Sequence, residues 1–116
     1  MLYLCLRSED SMNVLMNEDL KDLYLTGKSR KYKDVERTPD LIQGFMRAVS
    51  VMNSVSTVDE LKGFSYLHYE QLKYQLTGYS SVRLSNRFVH RLIFRETPDG
   101  LEIQLIDIDD THYGNK

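Results

Sequence analysis

The sequence has one cysteine in 116 residues, so no internal disulfide can brace it. Three histidines beside that single cysteine give no ligand cluster of the kind a structural zinc site needs. Packing must therefore hold the fold, and a reducing cytoplasm is the natural setting. Long apolar runs are missing too. The opening MLYLCLRSED carries a short one that ends at Arg7, far below a signal-peptide core or the roughly 20 apolar residues of a membrane span. The expectation is a soluble, unexported, cytoplasmic protein with no membrane partner. Residues 71–95, QLKYQLTGYSSVRLSNRFVHRLIFR, lack acidic side chains altogether.

That last absence matters because the chain as a whole is slightly acidic, with a formal net charge of −2. Residues 1–70 carry 9 basic and 11 acidic side chains, residues 71–95 carry 5 and 0, and residues 96–116 carry 1 and 6. A basic segment thus stands beside an acidic tail, and a polyanionic ligand would meet the local potential rather than the total. The plainer alternative is that the two segments pair as neighbouring strands and cancel. With 41% hydrophobic residues, the chain has material for one modest core, which predicts a single domain over residues 1–116. Residues 1–11 read either as an extension ahead of a strand start at Met12 or as an ordinary first strand at LYLCL. The start residue, Met1 or Met12, stays open with that choice.

Helical signals occupy the first half. In NEDLKDLYLTG, Asn17 is placed to cap, Glu18 and Asp19 fill the first turn, Leu20, Leu23 and Tyr24 share a face, and Gly27 follows the end. KSRKYKDVER reads as a polar basic connector. Thr38 can cap the next helix and Pro39 suits its first position, while Leu41, Ile42, Phe45, Val49 and Met52 form a buried stripe over residues 39–53. TVDELKGF adds a capped turn, with Thr57 and Glu60 at capping-box spacing and Gly63 as the stop.

From Tyr79 the period becomes two. Val82 and Leu84 alternate with Ser81, Arg83 and Ser85, and Phe88, His90, Leu92 and Phe94 alternate with Arg87, Val89, Arg91 and Arg95. A register pairing Ser81 with Arg91 and Leu84 with Phe88 puts Arg83 and Arg91 on one non-core face, with Arg87 on the same strand face as Arg91. After the TPDG turn, pairing Phe94 with Ile103 and Leu92 with Leu105 sets Arg95 against Glu102 and aims His90 at the core opposite Asp107. If the last strand stays extended, even positions from 102 share the Arg91 face and bring His112 to that side. The predicted class is α+β: a small antiparallel sheet with helices on one face and a cationic opposite face.

Glu70 and Lys73 in HYEQLKYQLTGY, Arg83 in SVRLS, Arg91 in HRLIFR, and His112 and Tyr113 in DDTHYG follow an order that resembles the RelE/ParE superfamily of bacterial toxins, its HigB and YoeB branches above all. The resemblance runs from about Asn17 to Gly114 and implies the RelE-like, microbial RNase-type fold. It also implies the toxin of a type II toxin-antitoxin system, a ribosome-dependent mRNA endonuclease that uses no metal or other cofactor. Its implied partners are a cognate antitoxin of helix-turn-helix type, the ribosome and mRNA, with operator DNA reached only through the antitoxin. The residue types suit such chemistry. Cleaving RNA through its own 2′-OH needs a base, an acid, and fixed cations for charge that builds on the phosphate. Glu70, His112 and Arg91 with Arg83 can fill those needs, with Lys73 and Arg87 as further phosphate contacts and Tyr113 stacking on a base or positioning phosphate.

Each residue also has a plainer reading. Glu70 can be a solvated loop carboxylate, Arg83 and Arg91 exposed strand cations, and His112 a frayed tail residue. Two functional alternatives stand beside the nuclease: a gyrase-directed toxin of the ParE kind, and a catalytically silent module that only partners an antitoxin in autoregulation.

Overall fold

The computed structural model describes residues 12–73 and 77–110. Strand β1 (Asn13–Met16) leads into helix α1 (Glu18–Thr26), α2 (Lys33–Arg37), α3 (Pro39–Ser54) and α4 (Val58–Lys62). A 3-10 turn at Ser65–Leu67 precedes β2 (Glu70–Gln71), β3 (Tyr79–Arg83), β4 (Arg91–Glu96) and β5 (Glu102–Asp109). The five strands form one sheet in the order β1-β5-β4-β3-β2. β1 joins β5 parallel while the other pairings are antiparallel, so the sheet is mixed.

Local chemistry accounts for most of these elements. The Asn17 side chain accepts from the Leu20 N–H at 3.0 Å, and Gly27 leaves α1 in the left-handed conformation at φ 78°, as the sequence predicts. α3 begins at Pro39, but Thr38 does not cap it. Thr38 is also the residue that ends α2, and its hydroxyl turns back to donate to the Asp34 carbonyl at 2.8 Å. Thr57 accepts from the Glu60 N–H at 3.3 Å, while the Glu60 carboxylate reaches back to the Ser56 N–H at 2.6 Å. The expected connector before Thr38 contains α2. Two buried side chains, Tyr32 and Val35, anchor it inside an otherwise polar run too short to show a period.

The core lies between these helices and one face of the sheet. Leu20, Leu23, Leu41, Phe45, Val49 and Met52 meet Val82, Leu92, Phe94, Ile103 and Leu105 there. The β3/β4 register pairs Val82 with Leu92 and Arg83 with Arg91, shifted by two from the expected one. A shift of two keeps every side chain on its face, so Arg83 and Arg91 do share the non-core face. β4 against β5 shifts likewise, leaving Arg95 opposite Gln104 rather than Glu102, with its guanidinium 5.6 Å from the Tyr79 ring centroid.

A bulge in β5 then changes the pattern. Phe94 pairs with Leu105 but Ile93 pairs with Asp107, so Ile106 is the extra residue and all later positions change face. Arg91 therefore stands opposite Asp109, and the even positions beyond the bulge do not share its face. Two side chains pin the bulge: the Asn17 amide donates to the Ile106 carbonyl at 3.1 Å, and the Tyr32 hydroxyl donates to Asp107 at 2.5 Å. With Asp107 so engaged, His90 bonds Asp34 instead, at 2.7 Å. Burial alone would raise the Asp34 carboxyl, yet hydrogen bonds from His90 and the Val35 N–H hold it below its usual value.

A depressed folded-state value gives stability that is present above about pH 4 and lost as pH falls through the folded value. Asp34 is 56% exposed, so the contribution is below about 1 kcal/mol. Asp34→Asn should therefore lower Tm slightly at pH 5 to 7 and flatten its decline between pH 4 and 2. Thermal melts across that range check both effects.

Candidate functional site

Three strands bring the site residues to the sheet face opposite the core. Glu70 pairs with Ser81 across β2/β3, and Arg83 pairs with Arg91 across β3/β4. Residues two apart on a strand share a face, so Glu70, Ser81, Arg83 and Arg91 stand together. Arg91 is the best fixed of them, only 5% exposed. Its Nε donates to Ser81 Oγ at 2.9 Å, and its Nη2 donates to Glu70 Oε1 at 2.6 Å and to the His68 carbonyl at 3.4 Å. His68 adopts φ 50°, the single positive φ among the described non-glycine residues, and this puts its carbonyl at the guanidinium.

Charge here is mixed: Arg83 and Arg91 stand beside Glu70, with the buried Asp109 opposite Arg91. Burial lowers the Arg91 pKa, Glu70 opposes that shift, and the neighbouring Arg83 adds to it. The guanidinium nonetheless stays charged at neutral pH. Arg83 is half-buried, and its Nε has no hydrogen-bond partner among the described residues. Two like charges directly opposite on a sheet destabilise it. Phosphate oxygens between them would relieve that repulsion. His68, Tyr69, Glu70, Arg83 and Arg91 line an open cleft of about 330 Å³.

The short strand that carries Glu70 is braced from the other side of the sheet. The Tyr69 hydroxyl bonds the Glu96 carboxylate, which also accepts from Ser80 at 2.7 Å. Burial and the adjoining Glu96 raise the Tyr69 pKa, so the phenol stays protonated as a donor. Glu70 is thus a strand residue tied to a buried arginine rather than a loop carboxylate.

The other candidates fall elsewhere. Lys73 is exposed just past β2. Arg87 is not on a strand face: it lies in the β3–β4 loop, 78% exposed, with its Nη1 3.2 Å from Asp40. His112 and Tyr113 lie outside the described residues. The bulge at Ile106 removes the face-counting argument for His112, because positions past it change parity. Ser81 and the His68 carbonyl were not anticipated as site groups. Ser81 had a usable signal, being two residues before Arg83 and so on its face. The His68 backbone turn had none.

Among the described residues, Asp34, His90 and Asp110 bring potential metal-ligand atoms within 4.8 Å of one another. His90 already bonds Asp34 and both carboxylates are exposed, so that hydrogen bond accounts for their closeness.

Several solved structures are similar to this chain, among them the following three. The YoeB-YefM toxin-antitoxin complex from Staphylococcus aureus gives 20% identity and a TM-score of 0.51, over 88% of this chain and 98% of the matched one. A YoeB/ParE toxin from Agrobacterium tumefaciens gives 17% and 0.49, over 87% and 100%. The RelBE2 toxin-antitoxin complex from Mycobacterium tuberculosis gives 16% and 0.46, over 90% and 97%. The first of these shows the fold to be α+β of the YoeB toxin kind. No protein-family model and no curated protein sequence matches the chain.

Proposed function

We propose that this chain, with its YoeB-like fold and a buried arginine held against a carboxylate on the open sheet face, is the toxin of a bacterial type II toxin-antitoxin system that cleaves mRNA on the ribosome. The observation that carries the reading is the 2.6 Å contact between Arg91 Nη2 and Glu70 Oε1 with Arg83 directly across the strand pair. That arrangement supports Glu70 as the base and Arg91 with Arg83 as the cations on the phosphate. The single domain spans residues 1–116, acts in the cytoplasm and uses no metal. Its cognate antitoxin is of helix-turn-helix type and mediates any contact with operator DNA.

In the proposed reaction Glu70 takes the proton of the substrate 2′-OH, and the 2′ oxygen attacks the adjacent phosphorus. Arg91 and Arg83 stabilise the charge on the non-bridging oxygens. The P–O5′ bond breaks as His112 supplies a proton to the departing oxygen, giving a 2′,3′-cyclic phosphate and a 5′-OH. Lys73 and Arg87 hold flanking phosphates, and Tyr113 stacks on a base or positions phosphate. No helix of the described residues is long and apolar enough to cross a membrane.

Inducing the chain without its antitoxin and mapping mRNA 5′ ends tests the reading. Codon-phased cuts are expected, and His112→Ala should abolish them while leaving Tm nearly unchanged, because position 112 follows the last core residue of β5. A DNA-damage response without cuts indicates a gyrase-directed toxin instead. Normal growth indicates a silent antitoxin-binding module.

A further inference from the structure

A second groove adjoins the Glu70–Arg91 cleft. It lies between α3, the 3-10 turn and the end of β3, holds about 280 Å³, and is lined by Arg47, Tyr66, Arg83 and Arg87 with Asp40 and Gly44. Arg83 lines both the groove and the cleft, so the two adjoin at that residue. Three arginines face one aspartate there, which leaves the groove cationic within an acidic chain. The Arg47 guanidinium sits 5.6 Å from the Tyr66 ring centroid, and Tyr66 is 43% exposed. An exposed aromatic beside a guanidinium is a platform for an unstacked base, and arginine N–H groups donate to phosphate oxygens.

We infer that this groove is a subsite for single-stranded RNA, holding the nucleotide next to the one in the Glu70–Arg91 cleft. The inference rests on the nuclease reading and extends it to residues outside the basic segment 71–95. Tyr66 receives the base, Arg47 covers it, and Arg83 spans the phosphate between the two positions. Arg87 exchanges its exposed contact with Asp40 for the flanking phosphate. A strand bound this way crosses from β4 over the end of β3 towards α3. A groove of this size takes one splayed nucleotide rather than a duplex.

NMR titration of the full chain with a 2′-O-methyl trinucleotide, which cannot be cleaved, tests the subsite apart from catalysis. A dinucleotide and a short acidic peptide serve as comparison ligands. The trinucleotide should shift the amides of Gln43, Arg47, Tyr66 and Ser85 as well as those of Glu70 and Arg91, and the dinucleotide should shift mainly the second set. Arg47→Glu and Tyr66→Ala, both at exposed positions, should each weaken trinucleotide binding about fivefold or more while leaving dinucleotide binding intact. Binding should also weaken with added salt. If both variants bind the trinucleotide as wild type while Arg91→Glu does not, the subsite is wrong and the nuclease reading stands. Preferential shifts of the groove by the acidic peptide overturn the subsite in favour of a protein partner. Shifts at Glu70 and Arg91 with none at Arg47 and Tyr66 overturn the subsite, while the nuclease reading is decided separately by the mRNA 5′-end mapping.

Discussion

Arg91→Ala is expected to lower single-turnover cleavage on programmed ribosomes by a factor of about 100 to 1000, the range for removing one fixed donor from a developing oxyanion. Arg87→Ala should cost about tenfold or less, as for a peripheral phosphate contact. The difference follows from how the two guanidinium groups are held. Arg91 is fixed by Ser81, Glu70 and the His68 carbonyl, so its charge is already oriented before substrate arrives. Arg87 is 78% exposed and must be ordered when RNA binds. Removing Arg91 leaves Glu70 without its partner, but Glu70 is 40% exposed and rehydrates. The variant should thus stay folded, which a thermal melt verifies. Arg91→Lys separates charge from geometry: it keeps the cation but cannot hold Ser81 and Glu70 at once. An activity near wild type in Arg91→Lys, or equal losses for Arg87 and Arg91, would mean that the basic stretch attracts RNA without placing a catalytic cation.

Gly44→Ala should lower stability by about 3 kcal/mol or more, the upper range for overpacking. In an exposed helix the same change would stabilise by about 1 kcal/mol through helix propensity. The sign reverses because a Cβ at position 44 would lie 1.8 Å from the Leu84 carbonyl oxygen and 2.7 Å from its carbonyl carbon. Both are backbone atoms, so no rotamer change can relieve the clash. Either α3 or the end of β3 must move, and with it Arg83, which directly precedes Leu84 and lines the second groove. A fall in Tm on the order of 10 °C is expected. A Tm at or above wild type would mean that α3 and β3 are not in this close contact in solution.

The sequence by itself determined the elements whose causes are local. Asn17, Gly27 and Thr57 mark helix ends through bonds made within a few residues, Pro39 marks one through its fixed φ, and the α3 stripe and the period-two strands name their own buried faces. It determined also that Arg83 and Arg91 share the open face, because registers differing by two residues leave each side chain's direction unchanged. What depended on distant partners was decided only by the tertiary structure. β1 adds to β5 in parallel across almost the whole chain, which no short-range pattern encodes. The bulge at Ile106 exists because Asn17 and Tyr32 hold the strand there, and it places Asp109 opposite Arg91 where even-position counting did not. Arg87 looked equivalent to Arg91 by alternation, yet one lies in an exposed loop and the other is buried on β4. A strand pattern fixes direction along a segment, but burial, register and the groups that surround a charge depend on segments far away in sequence, and those conditions set the chemistry of the Glu70–Arg91 site.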